Sequence, residues 1–315
     1  MTAAPPIVGA RFLGTGRATP PGTLTNAELE ARLDTTDTWI VERTGIRSRT
    51  VGGTTASLAA DAGAQALGAA GLAATDLGAV VVATCTPDRV FPSVSSAVAG
   101  TLGATCATFD VNGACAGFIH ALVSALAWSA ADGRPVLVAG ADRMTSVIDP
   151  DDRSTAILFG DGAGAMVVTA DAASPGGILS IDGGTDASAA DILCCEPGQT
   201  IHMEGRSVFK IAVRAAAESI DVALERASTA ASDIDLLILH QANERITRAI
   251  AARLDLADEQ VVSTLAHTGN ASAATIPHAT SVAVDDGRLT EGGTVVLCGF
   301  GAGMTWATAL LRWAR

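Results

Sequence analysis

The sequence of 315 residues contains no tyrosine, and only 3% of its residues are aromatic. Basic residues are also scarce: 20 Lys and Arg stand against 33 Asp and Glu, which gives a net charge of −13. Recognition of nucleic acids depends on a positive surface and on rings that stack with bases. These two shortages make a nucleic acid a poor candidate for a partner.

Signals for export, membrane insertion and metal binding are missing as well. Residues 1–6 carry neither a basic segment nor an apolar run, so we predict no signal peptide. We find no uncharged apolar run of about 18 residues and therefore expect no membrane span. The six cysteines form no C-x-x-C pair and no zinc spacing. These features predict a reduced cytoplasmic protein without a metal.

Two common active-site motifs are absent. The chain has no G-x-S-x-G, and residues 160–164 (GDGAG) do not have the G-x-G-x-x-G spacing. A segment rich in valine follows those glycines, where a dinucleotide site would need a helix. The sequence therefore excludes a Rossmann site and the serine hydrolase elbow.

Short apolar runs alternate with helical patterns along the chain, which predicts an α/β protein. The runs predicted to be buried strands are residues 79–84, 135–139, 165–169, 236–239 and 294–297. A further strand is expected near residues 7–13, and helices at 56–70 and 117–131. Shorter helices are predicted after a capping box at Thr25–Glu28 and after an N-cap at Asp37.

Two pairs of segments repeat each other. Residues 74–77 (ATDL) precede one apolar run as 231–234 (ASDI) precede another, and two glycine-rich turns, 160–164 and 299–303 (GFGAG), match. We predict an internal duplication with halves 1–172 and 173–315 that share one core.

Cys115 lies in the stretch 110–118 (DVNGACAGF), between a predicted strand and a predicted helix. A thiol at a helix N-terminus is stabilised as the thiolate, the form that attacks a thioester. The alternative is a small buried cysteine that packs as an apolar residue.

Two polar residues of the second half are further candidates. His240 follows the buried run 236–239, at the strand end where catalytic groups of parallel sheets gather. Asn270 lies in the turn 267–274 (HTGNASAA). Either could be an ordinary strand-end or turn residue, and only the combination with Cys115 indicates catalysis.

Three motifs resemble those of the β-ketoacyl-[acyl-carrier-protein] synthase III family. They are the stretch around Cys115, HQAN at 240–243 and GNASAA at 269–274. Residues 39–46 (WIVERTGI), 159–165 (FGDGAGA) and 208–210 (VFK) support the resemblance, which runs from about residue 7 to the C-terminus in family order. It implies a thiolase-like, duplicated αβαβα fold of five layers, with the nucleophile in the first half and His and Asn in the second.

The resemblance also implies a two-stage reaction without a cofactor. Cys115 would take an acyl group from acyl-CoA, and malonyl-ACP would then lose CO2 and attack the acyl-enzyme. His240 and Asn270 would donate hydrogen bonds to the enolate oxygen, while the backbone N–H groups of Cys115 and Ala302 would hold the oxyanion of acyl transfer. Phe300 would crowd the malonyl carboxylate.

Substrate and partner contacts are implied in the same way. Coenzyme A would be bound by Trp39, Arg43, Arg153 and Asn243. Acyl carrier protein, which is acidic, would dock on Arg206, Lys210, Arg214, Gln241, Ala242, Arg245, Arg248 and Arg253. Ala252 departs from the family pattern, which often has a lysine there. Phe91 would close the acyl pocket of the other subunit in a homodimer.

Several alternatives stay open at this stage. A degradative thiolase would need a second catalytic cysteine, and Cys298 is expected to lie in the core instead. A type III polyketide synthase is a longer chain, and a non-catalytic partner subunit lacks the Cys nucleophile. A related acyltransferase or starter-unit ketosynthase of secondary metabolism remains possible, and the preferred acyl-CoA is not determined.

Overall fold

The computed structural model describes residues 6–315 as alternating strands and helices. The strands are β1 (Val8–Ala18), β2 (Gly22–Thr25), β3 (Ser48–Val51), β4 (Ala79–Ala83), β5 (Ala107–Val111), β6 (Val136–Arg143), β7 (Asp161–Ala170), β8 (Gly177–Thr185), β9 (Leu193–Cys194), β10 (His202–Met203), β11 (Leu236–Leu239), β12 (Thr294–Gly301) and β13 (Thr305–Arg312). The α-helices are α1 (Asn26–Glu30), α2 (Asp37–Thr44), α3 (Thr55–Ala70), α4 (Val94–Leu102), α5 (Gly117–Asp132), α6 (Arg153–Ala156), α7 (Gly205–Arg226), α8 (Glu244–Arg253), α9 (Leu265–Thr268) and α10 (Thr275–Asp285).

Nine strands form one mixed sheet in the order β11-β12-β13-β8-β1-β7-β6-β4-β5. In the first half β4 is parallel to β6, and β7 runs antiparallel to both β6 and β1. In the second half β11 is parallel to β12, and β13 runs antiparallel to both β12 and β8. The same order and directions thus occur twice, as the predicted duplication requires.

The two halves of the sheet are joined at the short β1–β8 pairing, where Val8 and Gly9 face Ile178 and Gly177. This junction lets the halves turn away from each other, so that helices can lie between them. The predicted boundary at residue 172 falls between β7 and β8. Its use as a division into domains stays a prediction.

The two halves of the sheet and the helices packed between and outside them form five layers. The central one packs α5 and α10 between the two halves of the sheet, with Val81, Phe118 and Ile238 among its buried residues. On the outer face of the first half, α3 and α4 cover Val80 and its neighbours, and α7 and α8 cover the corresponding face of the second half. Because side chains alternate along a strand, the all-apolar runs can bury both faces of each sheet.

The segment Ala114–Asp132 is an apolar run of the length that the sequence was expected to lack. It is long and apolar enough to cross a membrane by length and composition alone. In this fold it contains α5, whose side chains, including Phe118 and Leu122, are buried in the central layer. Its apolar character is therefore explained by packing inside the protein.

Local details differ from the prediction in three places. The Thr25–Glu28 capping box is present, but α1 ends at Glu30. The N-cap of α2 is Thr36, whose hydroxyl accepts from the Trp39 N–H, because the Asp37 carboxylate instead accepts from Asn26 Nδ2 at 2.7 Å. Residues 161–164 already belong to β7 and do not form a turn.

Candidate active site

Cys115 lies in a single 3-10 turn, Ala114–Ala116, between β5 and α5. Ala114 has a φ of 46°, in the left-handed region that alanine rarely adopts. The end of β12 packs against this turn: a Cβ on Gly301 would lie 2.8 Å from the Cys115 nitrogen. Because glycine has no Cβ, the end of β12, which belongs to the second half of the chain, can approach Cys115 this closely.

A cavity of about 130 Å³ opens beside Cys115 and is lined by residues of both halves. Cys115, His240, Asn270 and Phe300 all line it, and the first three are buried. The other lining residues are Leu158, Phe159, Leu193, Met203, Gly205, Val208, Phe209, Ala242, Asn243, Ile246, Gly301 and Met304. The structure thus brings together the three residues singled out from separate motifs.

Burial raises the pKa of the Cys115 thiol to about 12, against a smaller lowering by the Ser272 hydroxyl and a further raising by Asp142. The expectation of a pKa shifted towards the thiolate is therefore wrong for this site, because desolvation disfavours the charged form. A thiol with so high a pKa needs a proton acceptor when it attacks.

His240 is buried, and desolvation lowers its pKa to about 3, so the imidazole is neutral. Its Nδ1 lies 2.8 Å from Thr275 Oγ1, whose single proton is donated to the Ser272 carbonyl at 2.9 Å. From this network we infer that Nδ1 carries the ring proton and donates to Thr275. Nε2 is then an acceptor, and it becomes a donor only after it has taken up a proton.

Asn270 is oriented by its own turn. Its Oδ1 accepts from the Ser272 N–H at 2.9 Å, which leaves the Nδ2 group as the donor available to the cavity. The backbone of Asn270 is fixed as well, by hydrogen bonds with Leu158 O and Gly160 N. Asn270 therefore offers a preorganised N–H donor.

Phe300 packs edge-to-face with the His240 imidazole. The Phe300 and His240 ring centroids are 5.4 Å apart at an interplanar angle of 69°. Ala302 begins the turn after β12 and lines a different, open cleft of about 680 Å³, together with Asn112, His120 and Cys194. That cleft shares Leu193 with the cavity and includes none of the three candidate catalytic side chains.

Comparison with known proteins agrees with this site. Two family models, described as 3-oxoacyl-[acyl-carrier-protein (ACP)] synthase III and its C-terminal part, match residues 109–187 and 224–313. The β-ketoacyl-[acyl-carrier-protein] synthase III of Allorhizobium ampelinum is 43% identical over 316 residues, with 95% of this chain and 98% of the relative covered. The chain belongs to the 3-oxoacyl-ACP synthase III family.

Solved structures agree with this assignment. The 3-oxoacyl-[acyl-carrier-protein] synthase III of Aquifex aeolicus VF5 matches with a TM-score of 0.94 and 38% identity, over 97% of this chain and 100% of the other. The priming β-ketosynthase of the R1128 polyketide pathway matches with a TM-score of 0.91 and 36% identity, over 99% and 98%. The predicted thiolase-type fold and the assignment as a condensing acyltransferase are confirmed.

The predicted coenzyme A residues of this synthase III lie together beside the cavity. The guanidinium carbons of Arg43 and Arg153 lie 5.7 Å and 5.0 Å from the centroid of the Trp39 ring. Asn243 caps α8 through Arg245 N, and its Nδ2 donates to Arg43 O at 3.0 Å. An aromatic ring flanked by two cations suits a phosphate-bearing, aromatic ligand.

The predicted docking residues on α7 and α8 are mostly exposed. Within residues 6–315 the ion pairs of this set are Arg248 with Glu244 and Arg253 with Asp221. Arg245 stacks over the Phe209 ring, a cavity residue, at 5.6 Å. Arg206, Lys210 and Arg214 lie along one exposed stripe of α7, whose first turns line the cavity.

Gln241 is a correction to that set. Its side chain is 1% exposed and donates from Nε2 to Leu239 O and Val262 O, while Oε1 accepts from Thr264 N. All its polar atoms are used inside the protein, so the side chain is not available to a docking partner. Adjacent Ala242 lines the cavity.

Phe91 does not line the cavity of its own chain. It lies in the loop between β4 and α4 and is 82% exposed in the single chain. The sequence reasoning also missed three residues that orient the site, namely Asp142, Ser272 and Thr275. Ser272 lies within the motif 269–274 and Thr275 directly follows it, so that motif could have indicated both, whereas the partners of Asp142 lie far away in the chain.

Proposed function

We propose that this protein is a 3-oxoacyl-ACP synthase III that transfers a short acyl group from acyl-CoA to Cys115. It then condenses the acyl group with malonyl-ACP, with loss of CO2, to give 3-oxoacyl-ACP. The observation that carries the proposal is the single buried cavity lined by Cys115, His240 and Asn270. Both acyl groups arrive as thioesters, so the reaction needs no bound cofactor.

In the first half-reaction Cys115 Sγ attacks the acyl-CoA carbonyl as its proton moves to His240 Nε2. The bond between the carbonyl carbon and the coenzyme A sulfur breaks, and the departing thiolate takes the proton from His240. The Nδ1–H tautomer of His240 suits this step because it leaves Nε2 as an acceptor. The backbone N–H groups at Cys115 and Ala302 are the proposed donors to the oxyanion.

In the second half-reaction the malonyl carboxylate leaves as CO2 and its electron pair forms an enolate. His240, which takes a proton from solvent as the malonyl anion enters, and Asn270 Nδ2 donate to the enolate oxygen, while the apolar Phe300 ring disfavours the carboxylate. The enolate carbon attacks the acyl carbonyl, the carbon–sulfur bond to Cys115 breaks, and the thiolate regains its proton from His240. Burial opposes an isolated imidazolium, so the proton is held while an anion is beside it.

Substrate delivery in this proposal uses the charged and aromatic groups around the cavity. Trp39, Arg43 and Arg153 bind the nucleotide part of coenzyme A, and the exposed bases of α7 and α8 receive the acidic carrier protein. Because the chain has a net charge of −13, an acidic partner is attracted to this local basic stripe and repelled by the rest of the surface.

The proposed assembly is a cytoplasmic homodimer. Within residues 6–315 the edge strand β5 has no neighbour on its outer side, and exposed edges favour pairing with another chain. Phe109 on β5 packs against the half-exposed Trp128, and Val90 and Phe91 are exposed nearby in the chain. A second copy pairing along β5 would cover this apolar surface.

The test is direct. The purified protein is incubated with a panel of acyl-CoAs, the mass added to Cys115 is read, and malonyl-ACP is then supplied. A 3-oxoacyl-ACP product supports the proposal, and absence of any acyl adduct with every acyl-CoA would refute it. Similarity to a priming β-ketosynthase favours one second candidate, a starter-unit enzyme of polyketide synthesis, which an unusual preferred acyl-CoA would indicate.

A further inference from the structure

Asp142, near the end of β6, is a buried carboxylate that the proposed mechanism does not use. It is 0% exposed. Its Oδ1 accepts from Thr84 Oγ1 at 2.9 Å, from Cys85 N at 2.8 Å, and from Thr86 N and Oγ1 at 3.1 and 2.8 Å. These donors all lie on the exit of β4, in the first half of the chain.

The other carboxylate oxygen reaches into the second half. Asp142 Oδ2 accepts from the Ala273 N–H at 3.0 Å, and the Ser272 hydroxyl is also in hydrogen-bond contact with the carboxylate. Burial raises the pKa of Asp142, but the hydrogen bonds from Cys85, Thr86, Ser272 and Ala273 act against this shift. Every contact of the carboxylate oxygens given above is with a donor, which favours the ionised form. The charge therefore ties the two halves together beside the cavity.

The segment held by Oδ2 orients both second-half catalytic candidates. Ser272 has a φ of 50°, which is strained for serine, and Ala273 follows it directly. The Ser272 N–H donates to Asn270 Oδ1, and the Ser272 carbonyl accepts from Thr275, the partner of His240. Displacing this turn would move the Asn270 donor away from the enolate oxygen, whereas His240 is also held by its own N–H, which donates to Cys298 O at 2.8 Å.

We propose that Asp142 is a positioning residue for the condensation step. Its ionised carboxylate holds the segment 270–275 so that Asn270 Nδ2 faces the malonyl thioester oxygen. This proposal rests on the proposed function.

The nucleophile lies beside the same charge. Cys85 Sγ is 3.5 Å from Ser272 Oγ, and the Ser272 hydroxyl also contacts the Cys115 thiol. The titratable groups next to the carboxylate are Cys85 and Cys115, and its negative charge raises the pKa of both, after desolvation as the main cause. Removing the charge should therefore ease ionisation of Cys115 while it disturbs the Asn270 turn.

The decisive variant is Asp142→Asn. Its amide oxygen can keep the four donors on the β4 side, but its NH2 group then opposes the Ala273 N–H and pushes the turn away. Acylation of Cys115 by acyl-CoA and condensation of the pre-acylated enzyme with malonyl-ACP are measured separately. We expect condensation to slow by about 10²-fold, as for a misplacement of about 1 Å, with acylation and the KM for malonyl-ACP little changed.

A second readout separates positioning from general damage. The pH profile of Cys115 alkylation by iodoacetamide should move to lower pH in Asp142→Asn, which removes a negative charge. It should move to higher pH in Ser272→Ala, which removes the hydroxyl that lowers the Cys115 pKa. Should Asp142→Asn fail to fold, Ser272→Ala alone tests the proposal, because it should slow condensation more than acylation.

Thr84→Val is the matched control. It removes one donor to Asp142 Oδ1 on the first-half side only, so it should lower stability without changing the ratio of the two half-reaction rates. Equal losses in both half-reactions of Asp142→Asn, or the same condensation defect in Thr84→Val, would overturn the positioning role. A native enzyme whose Cys115 is never acylated would instead refute the proposed function.

Discussion

At the scale of single residues, position decides which thiol reacts. Burial raises the pKa of both Cys115 and Cys298 to about 12, so acidity does not distinguish them. Cys115 lines the cavity, whereas Cys298 faces Thr308 of the neighbouring strand within the outer core. We expect Cys115→Ser to lose the acyl-enzyme and Cys298→Ala to keep it, as read by intact mass after incubation with acyl-CoA. A stable adduct on Cys298 would contradict the assignment.

The two second-half residues should give different defects. Asn270→Ala removes a donor used only for the enolate, so condensation should fall by about 10²–10³-fold, the usual effect of losing one such donor. Acylation should persist. His240→Ala removes the proton acceptor as well, and should slow both half-reactions. Single-turnover rates for each half-reaction check this, and an Asn270→Ala variant that condenses at the native rate would exclude the role.

The residue motifs predicted Cys115, His240 and Asn270 because each is embedded in a short, local signature. Asp142 has no such signature, since its donors come from the exit of β4 and from a turn 131 positions away. The wrong pKa direction for Cys115 and the wrong exposure of Gln241 have the same origin. Both depend on which segments pack against the residue, and that packing is a tertiary property.

At the scale of elements, α7 carries the exposed charges Arg206, Lys210 and Arg214 on one stripe. Exposed ion pairs are worth about 0.2–1 kcal/mol each, so reversing all three to Glu should raise the KM for malonyl-ACP by up to about a hundredfold. The effect should weaken with salt, and malonyl-CoA, which lacks the carrier protein, should be unaffected. Arg226→Glu, at the far end of the same helix, is the matched control. Equal effects on both malonyl donors would contradict docking on this stripe.

The elements themselves were largely predictable. Apolar runs bounded by turn residues gave the buried strands, and Gly71, with a φ of 67°, ended α3 where expected. Errors arose at caps, where Asp37 prefers Asn26 to the helix terminus, and in the glycines of 161–164, which join a strand. Each error reflects a partner from elsewhere in the chain overriding a local preference.

At the scale of the whole molecule, the buried His240 and the partly buried His278 connect pH with stability. Desolvation lowers the pKa of His278 to about 4 and that of His240 to about 3, and His278 Nδ1 is buried without a partner among residues 6–315. Below pH 6.5 the unfolded chain binds these protons and the folded chain does not. Stability is therefore full above that pH and is lost as the pH falls towards 4.

His278→Gln should reduce the slope of the unfolding free energy against pH between pH 6.5 and 4.5. The reduction should correspond to up to one bound proton, as measured by urea unfolding at a series of pH values. Replacing the exposed His202 by Gln is the control and should leave the slope unchanged. An unchanged slope in His278→Gln would show that this histidine titrates normally in the folded protein.

The duplication was visible in the sequence as paired segments, and the five layers were implied by the family resemblance, but no local pattern shows how two chains would meet. Phe91 is 82% exposed in the single chain and follows β4, whose neighbour β5 is the free edge of the sheet. The resemblance predicts that it closes the acyl pocket of the other subunit. In that position the ring would leave room for short or small branched starters and would exclude long ones.

Phe91→Ala should therefore admit longer acyl-CoAs. Each additional buried methylene is worth about 0.8 kcal/mol. In the variant, kcat/KM should therefore rise by about fourfold per carbon until the enlarged pocket is filled. Over the same chain lengths the native enzyme should lose activity. Val90→Ala, on the same exposed loop, is the matched control and should keep the native length profile. The oligomeric state is measured first, by light scattering, because a lost dimer would also change the profile. A dimeric Phe91→Ala enzyme with an unchanged preference for chain length would mean that the pocket is closed by other residues.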